Sequence, residues 1–233
     1  MPKYKIADVV VEMVQDYKET AHWYSDYIYN GDEEAAFAIK APQTDIDYFV
    51  EVGKDITPAV AENMVLCNIF NRRLLRYGGS YLHSSALLYE HKVYLFSAGS
   101  GVGKSTHTKK WLDRFPQKAS VINDDKPSFR IIDGKCIVYG TPFSGGTNLQ
   151  INTSAELGAI VFIERAEENS LTKLNASQAI NLMLSQAPKI FTEKAGEIQL
   201  DLYSQILTSY PVYLLKCNMD DSALDVSMGI LTS

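Results

Sequence analysis

The chain has 233 residues, 46% of them apolar, and carries 22 Lys+Arg against 28 Asp+Glu, a net charge of −6. That length suits one domain, or one domain with an appendage, and the composition suits a full hydrophobic core, which excludes fibrous and largely disordered classes. The acidic balance excludes a broad nucleic-acid surface, which needs clustered Lys and Arg, but leaves room for a small anion site, because local geometry decides that.

Residues 1–57 read as short strands between turns. Lys5–Val14, Ala35–Ile39 and Asp47–Val52 carry alternation or β-branched content, and Asn30-Gly31-Asp32 is a turn signal. The charges mixed into the opening MPKYKIADVVVEMVQDYKE argue against a signal peptide. A helix follows, with Thr57 as its N-cap, Pro58 at its first position and Gly78-Gly79 as its stop. Its expected buried stripe is Val60, Met64, Val65, Ile69, Phe70 and Leu74, and Arg72, Arg73 and Arg76 suit the negative end of its dipole.

Tyr81–Tyr89 and Val93–Ser97 read as strands joined by a polar turn at Glu90-His91-Lys92. A glycine-rich loop leads to a short helix near Ser105–Phe115, then a strand at Ala119–Ile122 ending in Asn123-Asp124-Asp125. Phe129–Ile132 and Cys136–Tyr139 flank Asp133-Gly134, a hairpin signal. Ala159–Ile163 is a buried strand, followed by helices near Ser177–Ala187 and Gln199–Thr208, a strand at Val212–Cys217 and a last helix near Ser222–Leu231. The hairpins make the sheet mixed rather than wholly parallel. Cys67, Cys136 and Cys217 lie far apart, with neither a disulfide pattern nor zinc-ligand spacing. The longest uncharged run, the 20 residues Cys136–Ala155, contains Gly140, Pro142, Gly145, Gly146, Asn148, Gln150 and Asn152, which break or hydrate a lipid-spanning helix. The expectation is a cytoplasmic protein without membrane or nucleic-acid partners.

Val93–Thr106, VYLFSAGSGVGKST, places an apolar strand, a glycine-rich loop and a helix start in the order a P-loop requires. Backbone N–H groups of such a loop cradle phosphate oxygens and the helix N-terminus adds partial positive charge. The candidate nucleotide-binding residues are Gly99, Ser100, Gly101, Val102, Gly103, Lys104, Ser105 and Thr106. Lys104 is expected at the β/γ-phosphates and Ser105 at Mg²⁺. The strict GxxxxGK[ST] pattern would begin at Ala98, so this chain departs from it at one position. Asp124 and Asp125 follow Lys104 by 20 and 21 residues, at the end of an apolar strand. Adjacent residues there face opposite ways. One is expected to hold Mg²⁺ and the other to take a proton from an attacking hydroxyl.

The run YLHSSALLYEHKVYLFSAGSGVGKST with VINDD resembles the HPr kinase/phosphorylase and phosphoenolpyruvate carboxykinase superfamily, over about Ser80–Asp125. The resemblance implies an α/β fold: a P-loop kinase core on a mixed, largely antiparallel sheet flanked by helices, here over residues 58–233, with 1–57 a β-rich extension packed on it. It also implies phosphoryl transfer from ATP with Mg²⁺ to a hydroxyl, serine in the kinase branch. Carried over, one of Asp124 and Asp125 is the base, Asp125 being preferred, the other helps Ser105 hold the metal, and His83 touches the transferred phosphate or a carboxylate. As a residue on a strand, His83 reads equally as a core histidine. His83-Ser84 stands where HPr kinases have His-Gly, and their Glu-containing glycine-rich segment is replaced by Tyr139–Gly146, so the chain resembles HPr-kinase-related proteins rather than HPr kinase itself. The 139–148 loop is the candidate acceptor region, and Glu164-Arg165 reads as a surface pair or as a cation near the phosphates. The related kinases assemble as oligomers, which extends that expectation to this chain. The expected partners are thus ATP and a hydroxyl-bearing acceptor. The competing function is a non-catalytic ATP-binding regulatory module.

Overall fold

A computed structural model describes residues 1–99 and 101–232. The chain opens on a hairpin. Strands β1 (Lys3–Ile6) and β2 (Val9–Val14) pair antiparallel around Ala7-Asp8, both at positive φ, the turn geometry that matches the twist of paired strands. Strand β3 (Phe37–Lys40) adds parallel to β2 and completes a three-stranded sheet. Two helices also belong to this region, α1 (Lys18–Trp23) and α2 (Gln43–Val52). The strand expected over Asp47–Val52 is therefore the second half of α2. Tyr48, Val50 and Val52 alternate as a strand would, but all three are solvent-exposed, and Ile46 is the buried anchor of the helix. The first 57 residues are thus mixed α and β, not simply β-rich.

Helix α3 (Pro58–Leu74) begins as its sequence dictates. The Thr57 hydroxyl accepts the Val60 N–H at 3.3 Å and Pro58 occupies the first position. A 3₁₀ turn and Gly78, at φ 70°, end it. The buried surface is wider than the expected stripe. Val65, Phe70 and Leu74 are buried, as are Ala61, Glu62, Asn63, Leu66 and Cys67, whereas Val60, Met64 and Ile69 are only half-buried. The helix lies between the small sheet and the rest of the chain, so more than one face is covered. Its core cluster joins Tyr4, Met13, Tyr24 and Ile39 to Phe70, Tyr139 and Phe143, and each such large apolar side chain contributes about 1.5–3 kcal/mol by leaving water.

The main sheet holds β4 (Gly79–Tyr81), β5 (Ser84–Tyr89), β6 (Lys92–Ser97), β7 (Ala119–Asn123), β8 (Ser128–Ile132), β9 (Lys135–Tyr139), β10 (Ser154–Arg165), β11 (Ser170–Lys173) and β12 (Val212–Cys217). Its path is β4-β8-β9-β10-β6-β5-β7, with β12 pairing both β10 and β11. Only the pairings of β10 with β6 and with β12 are parallel, among the described residues; the others are antiparallel. Helices α4 (Lys104–Arg114) and α7 (Ser222–Ser227) share a core cluster with one face, and α5 (Ala176–Ser185) and α6 (Glu193–Ser209) with the other. The fold is a mixed α/β sheet flanked by helices. Among the described residues no helix is long and apolar enough to cross a membrane.

Two features of this topology assemble the site. The single strand expected over Tyr81–Tyr89 is split: β4 pairs with β8, β5 pairs with β6 and β7, and Leu82-His83 forms the break. Because β6 and β7 both run antiparallel to β5, the start of β5 and the ends of β6 and β7 meet at one sheet edge. The C-terminal ends of β10 and β12, parallel to β6, lie at that same edge, the side on which α/β sheets receive ligands.

Candidate active site

Strand β6 runs into the glycine-rich loop at Ala98. Gly101 and Gly103 adopt φ of 73° and 131°, backbone that side-chain-bearing residues reach only with strain. Helix α4 starts at Lys104 with no side-chain cap, so no side chain of the cap residue satisfies its first N–H groups at the positive end of its dipole. Arg165, at the end of β10, holds the loop from outside: its Nη2 donates to the Gly101 carbonyl at 2.5 Å and its Nε to the Val102 carbonyl at 3.1 Å. Its cation therefore stands at the glycine-rich loop rather than in a surface pair with Glu164. Ser100 lies outside the described residues.

Lys104 is buried, and its ammonium donates to the Ala98 carbonyl at 3.2 Å and meets His83 Nε2 at 3.4 Å. Burial lowers its pKa, while the charges of Asp125 and Asp124 pull the other way. The two aspartates face opposite directions, as expected of neighbours leaving a strand. Asp124 turns towards the loop: its Oδ2 accepts from the Ser105 hydroxyl at 2.9 Å and its Oδ1 from the buried Ser85 hydroxyl. Asp125 turns to His83, with Oδ1 3.3 Å from Nε2, and to Lys126, with Oδ2 2.5 Å from Nζ. Burial alone would raise the Asp125 carboxyl, but His83 and Lys126 outweigh it and hold the group below the usual range. Burial likewise works against the Lys126 charge, and Asp125 prevails, raising its pKa.

Backbone bonds fix these directions. Asp125 N–H donates to the Asn123 side chain at 2.9 Å, and the Asn123 amide donates to Thr141 O at 2.9 Å and Thr141 Oγ1 at 3.1 Å. The 139–148 loop is thereby tied to the aspartates. Lys126 N–H reaches the Phe143 carbonyl at 3.2 Å, and a Cβ on Gly145 would sit 2.8 Å from Asp125 Oδ2. Only glycine, here at φ 62°, lets the loop come so close. Thr141 is structural, bonding to the Lys126 carbonyl at 3.0 Å, while the buried Ser144 hydroxyl has no partner among the described residues.

A cavity of about 320 Å³ adjoins the loop, lined by Val102, Thr106, His107, Ile163, Arg165 and Met219 among others. His107 is buried, its ring 5.2 Å from that of Phe96, as a structural histidine should be. Burial, with help from Lys110, pushes its pKa down to about 4, and its Nε2 lacks a partner among the described residues.

No family model matches the chain, and no curated protein matches it. Among solved structures, the HPr(Ser) kinase/phosphatase from Coxiella burnetii overlaps 65% of this chain and 88% of its own, at 10% identity and a TM-score of 0.40. The likeness is a distant structural one, and the chemistry of this site rests on its own side chains.

Of the residues the sequence singled out, His83, Lys104, Ser105, Asp124 and Asp125 converge within hydrogen-bond or ion-pair chains, with Gly99, Gly101, Val102, Gly103 and Thr106 forming the loop and helix start beside them. Sequence reading passed over Ser85, Lys126, Arg165's grip on the loop, and Gln186. Lys126 carried a signal, as a charge directly after the aspartates and before an apolar strand. Gln186, 103 residues from the histidine it touches, carried none.

The donor set fits a magnesium nucleotide. Ser105 and Asp124 offer hard oxygen ligands to one point, and among the described residues no cluster of three or more His, Cys, Asp or Glu forms an all-protein metal cage. Mg²⁺ is ordinarily held that way, by one or two side chains with phosphates and water supplying the rest.

Proposed function

We propose that this chain is an ATP-dependent, Mg²⁺-requiring kinase that transfers the γ-phosphate to a hydroxyl, serine in a peptide, protein or small molecule being the acceptor class that the sequence resemblance favours. The observation that carries the reading is the meeting, at one sheet edge, of an uncapped helix N-terminus, a buried lysine and two aspartates facing opposite ways.

Each group then has a role. The loop N–H groups and the α4 N-terminus bind phosphate oxygens. Lys104 turns from the Ala98 carbonyl to the β/γ-phosphates, where its charge is better compensated. Ser105 and Asp124 would hold Mg²⁺, which supplies charge neutralisation on the transferring group. Asp125 accepts the acceptor's hydroxyl proton, with His83 and Lys126 fixing its two oxygens. The nucleoside occupies the cavity beside Val102 and Thr106. Gly145, against Asp125, leaves the acceptor room to approach the carboxylate.

The test is transfer of labelled γ-phosphate to pools of hydroxyl-bearing peptides and small molecules. Lys104→Ala and Asp125→Asn are each expected to lower transfer by ~10²-fold or more, the scale of losing one preorganised charge-stabilising group or a general base. Transfer unchanged in Lys104→Ala rejects the reading. ATP-dependent thermal stabilisation with no acceptor in any pool favours the nucleotide-sensing module instead.

A further inference from the structure

Strands β5 and β7 do not pair in simple register. Ala86 stands opposite Asn123 but Leu87 opposite Val121, so Ile122 is one residue too many on β7, a β-bulge. Further along, the Ser84 N–H donates to the Asp125 carbonyl at 3.0 Å, which leaves Ser85 opposite Asp124. Side chains change face with every residue of a regular strand. Leu87 and Val121 pack in the cluster that holds Trp111 of α4, whereas Ala86 and Ile122 pack in the cluster of the opposite face. In a regular strand counted on from Val121, the α4 face would receive Asn123 and the opposite face Asp124. The extra residue reverses this. Asp124 comes to the α4 face, where Ser105 lies in the first turn of the helix, and Asn123 turns to Thr141.

The bulge is fastened by a third segment. The Ile122 carbonyl accepts the Ile151 N–H at 3.0 Å, and a Cβ on Gly140 would stand 2.5 Å from that same oxygen. Ser85 then completes the aim. It is fully buried, and its hydroxyl donates to Asp124 Oδ1. A carboxylate oxygen only accepts, so the hydroxyl hydrogen is committed to Oδ1 and resists rotation of the carboxylate. Oδ2 is left on the Ser105 side, 2.9 Å from that hydroxyl. Among the described residues the Asp124 carboxylate takes its hydrogen bonds from these two serines, one on each oxygen.

We infer that Ser85 is a positioning residue for the metal: together with the bulge at Ile122 it holds the Asp124 carboxylate with Oδ2 turned to Ser105, so that the two oxygens that would hold Mg²⁺ stand side by side before nucleotide arrives. The inference rests on the kinase reading for the presence of metal, and on the strand register for its geometry. Groups that bond the far side of a metal ligand fix its direction and so raise its affinity. The arrangement also divides the labour of the two aspartates. With Asp124 tied to β5 on the α4 face, its neighbour Asp125 is left to His83 and Lys126. Ser85 itself touches neither metal nor substrate.

The experiment uses the full chain and a non-hydrolysable ATP analogue, whose affinity is measured by calorimetry with Mg²⁺ and again with a chelator of divalent metal. The wild type is expected to bind more tightly with Mg²⁺. In Ser85→Ala that advantage is expected to shrink ~10-fold or vanish, the scale of losing a hydrogen bond behind a metal ligand. Affinity without metal is expected to stay unchanged. Ser84→Ala is the control. Its hydroxyl is equally buried but donates to the Leu82 carbonyl at 2.9 Å. That variant is expected to lower the thermal midpoint of the free protein as Ser85→Ala does, and to keep the Mg²⁺ advantage. An advantage undiminished in Ser85→Ala overturns the inference, and so does a wild type that gains nothing from Mg²⁺. A loss of affinity equal with and without Mg²⁺, or equal in Ser84→Ala, makes Ser85 a packing residue and overturns it too. If the Mg²⁺ advantage behaves as stated and no chain transfers phosphate, the kinase reading fails and the placing of Asp124 by Ser85 stands.

Discussion

At the scale of residues, burial decides which ionisable groups the fold can tolerate. His107 is enclosed beside Phe96, and its pKa falls from 6.5 to about 4. The folded state thus binds its proton less readily than the unfolded chain does. Stability is intact above pH 6.5 and drains away as pH falls towards 4, by roughly 3 kcal/mol at ~1.4 kcal/mol per unit. The expected outcome is a lower urea midpoint at pH 4.5 than at pH 7, with that gap narrowed in His107→Leu, both measured without nucleotide. An undiminished gap in the variant would assign the acid sensitivity to another group. The sequence made the loop residues and the aspartates legible because glycines, Lys104 and the aspartates stand in fixed spacing along one stretch. It left Gln186 and the Ser85–Asp124 bond illegible, because such contacts are made by sheet edges and helix ends remote in the chain.

At the scale of elements, the strand–loop–helix unit around Lys104 was legible from composition and order, and so were the hairpins at Glu90 and Asp133. The split between β4 and β5 was not. Tyr81–Tyr89 is uniformly strand-like, and only the different partners of its two halves, β8 against β6 and β7, break it at His83. α2 was misread because its exposed apolar residues happen to alternate. The loop's own shape depends on another element, the end of β10. Arg165→Ala removes two charge-assisted bonds to the Gly101 and Val102 carbonyls, and since Arg165 is exposed their worth is discounted to about 1.4 kcal/mol or less. Nucleotide affinity should fall by about tenfold or less, by calorimetry or equilibrium dialysis, with the thermal midpoint of the free protein nearly unchanged. Glu62 makes the converse case. It is buried on α3 and accepts the N–H groups of Asp16 and Tyr17 at 2.6 and 3.3 Å, holding the chain that enters α1. Glu62→Ala should destabilise the fold by about 2 kcal/mol, read as a drop of about 4–8 °C in thermal midpoint, because backbone donors lose a charged acceptor inside the protein.

For the whole molecule, the question is whether the first 57 residues are an appendage or a wall of the site. Their sheet shares one core cluster with α3 and with Tyr139 and Phe143. Phe143 packs against Phe70 at 5.4 Å and Tyr24 at 6.0 Å between ring centroids, and its carbonyl accepts the N–H of Lys126. Two residues on, Gly145 lies against Asp125. Asn63 of α3 joins the two regions again, donating to the Pro142 carbonyl at 3.0 Å while accepting from the Tyr24 hydroxyl at 2.9 Å. Cutting the chain at Thr57 would therefore strip Phe70, Phe143 and Val65 of their cover and loosen the loop that bounds the aspartates. A chain of residues 58–233 is expected to bind a hydrophobic dye, lose its near-ultraviolet circular dichroism and melt without a cooperative transition, the marks of secondary structure without fixed packing. A removable appendage would behave otherwise: the shortened chain would melt cooperatively and still be stabilised by ATP and Mg²⁺. At a nucleotide concentration of about 100 Kd the full chain should gain about 2.7 kcal/mol, or about 5–11 °C, and the shortened chain nothing. An equal gain in both chains would show that the site closes without its N-terminal wall.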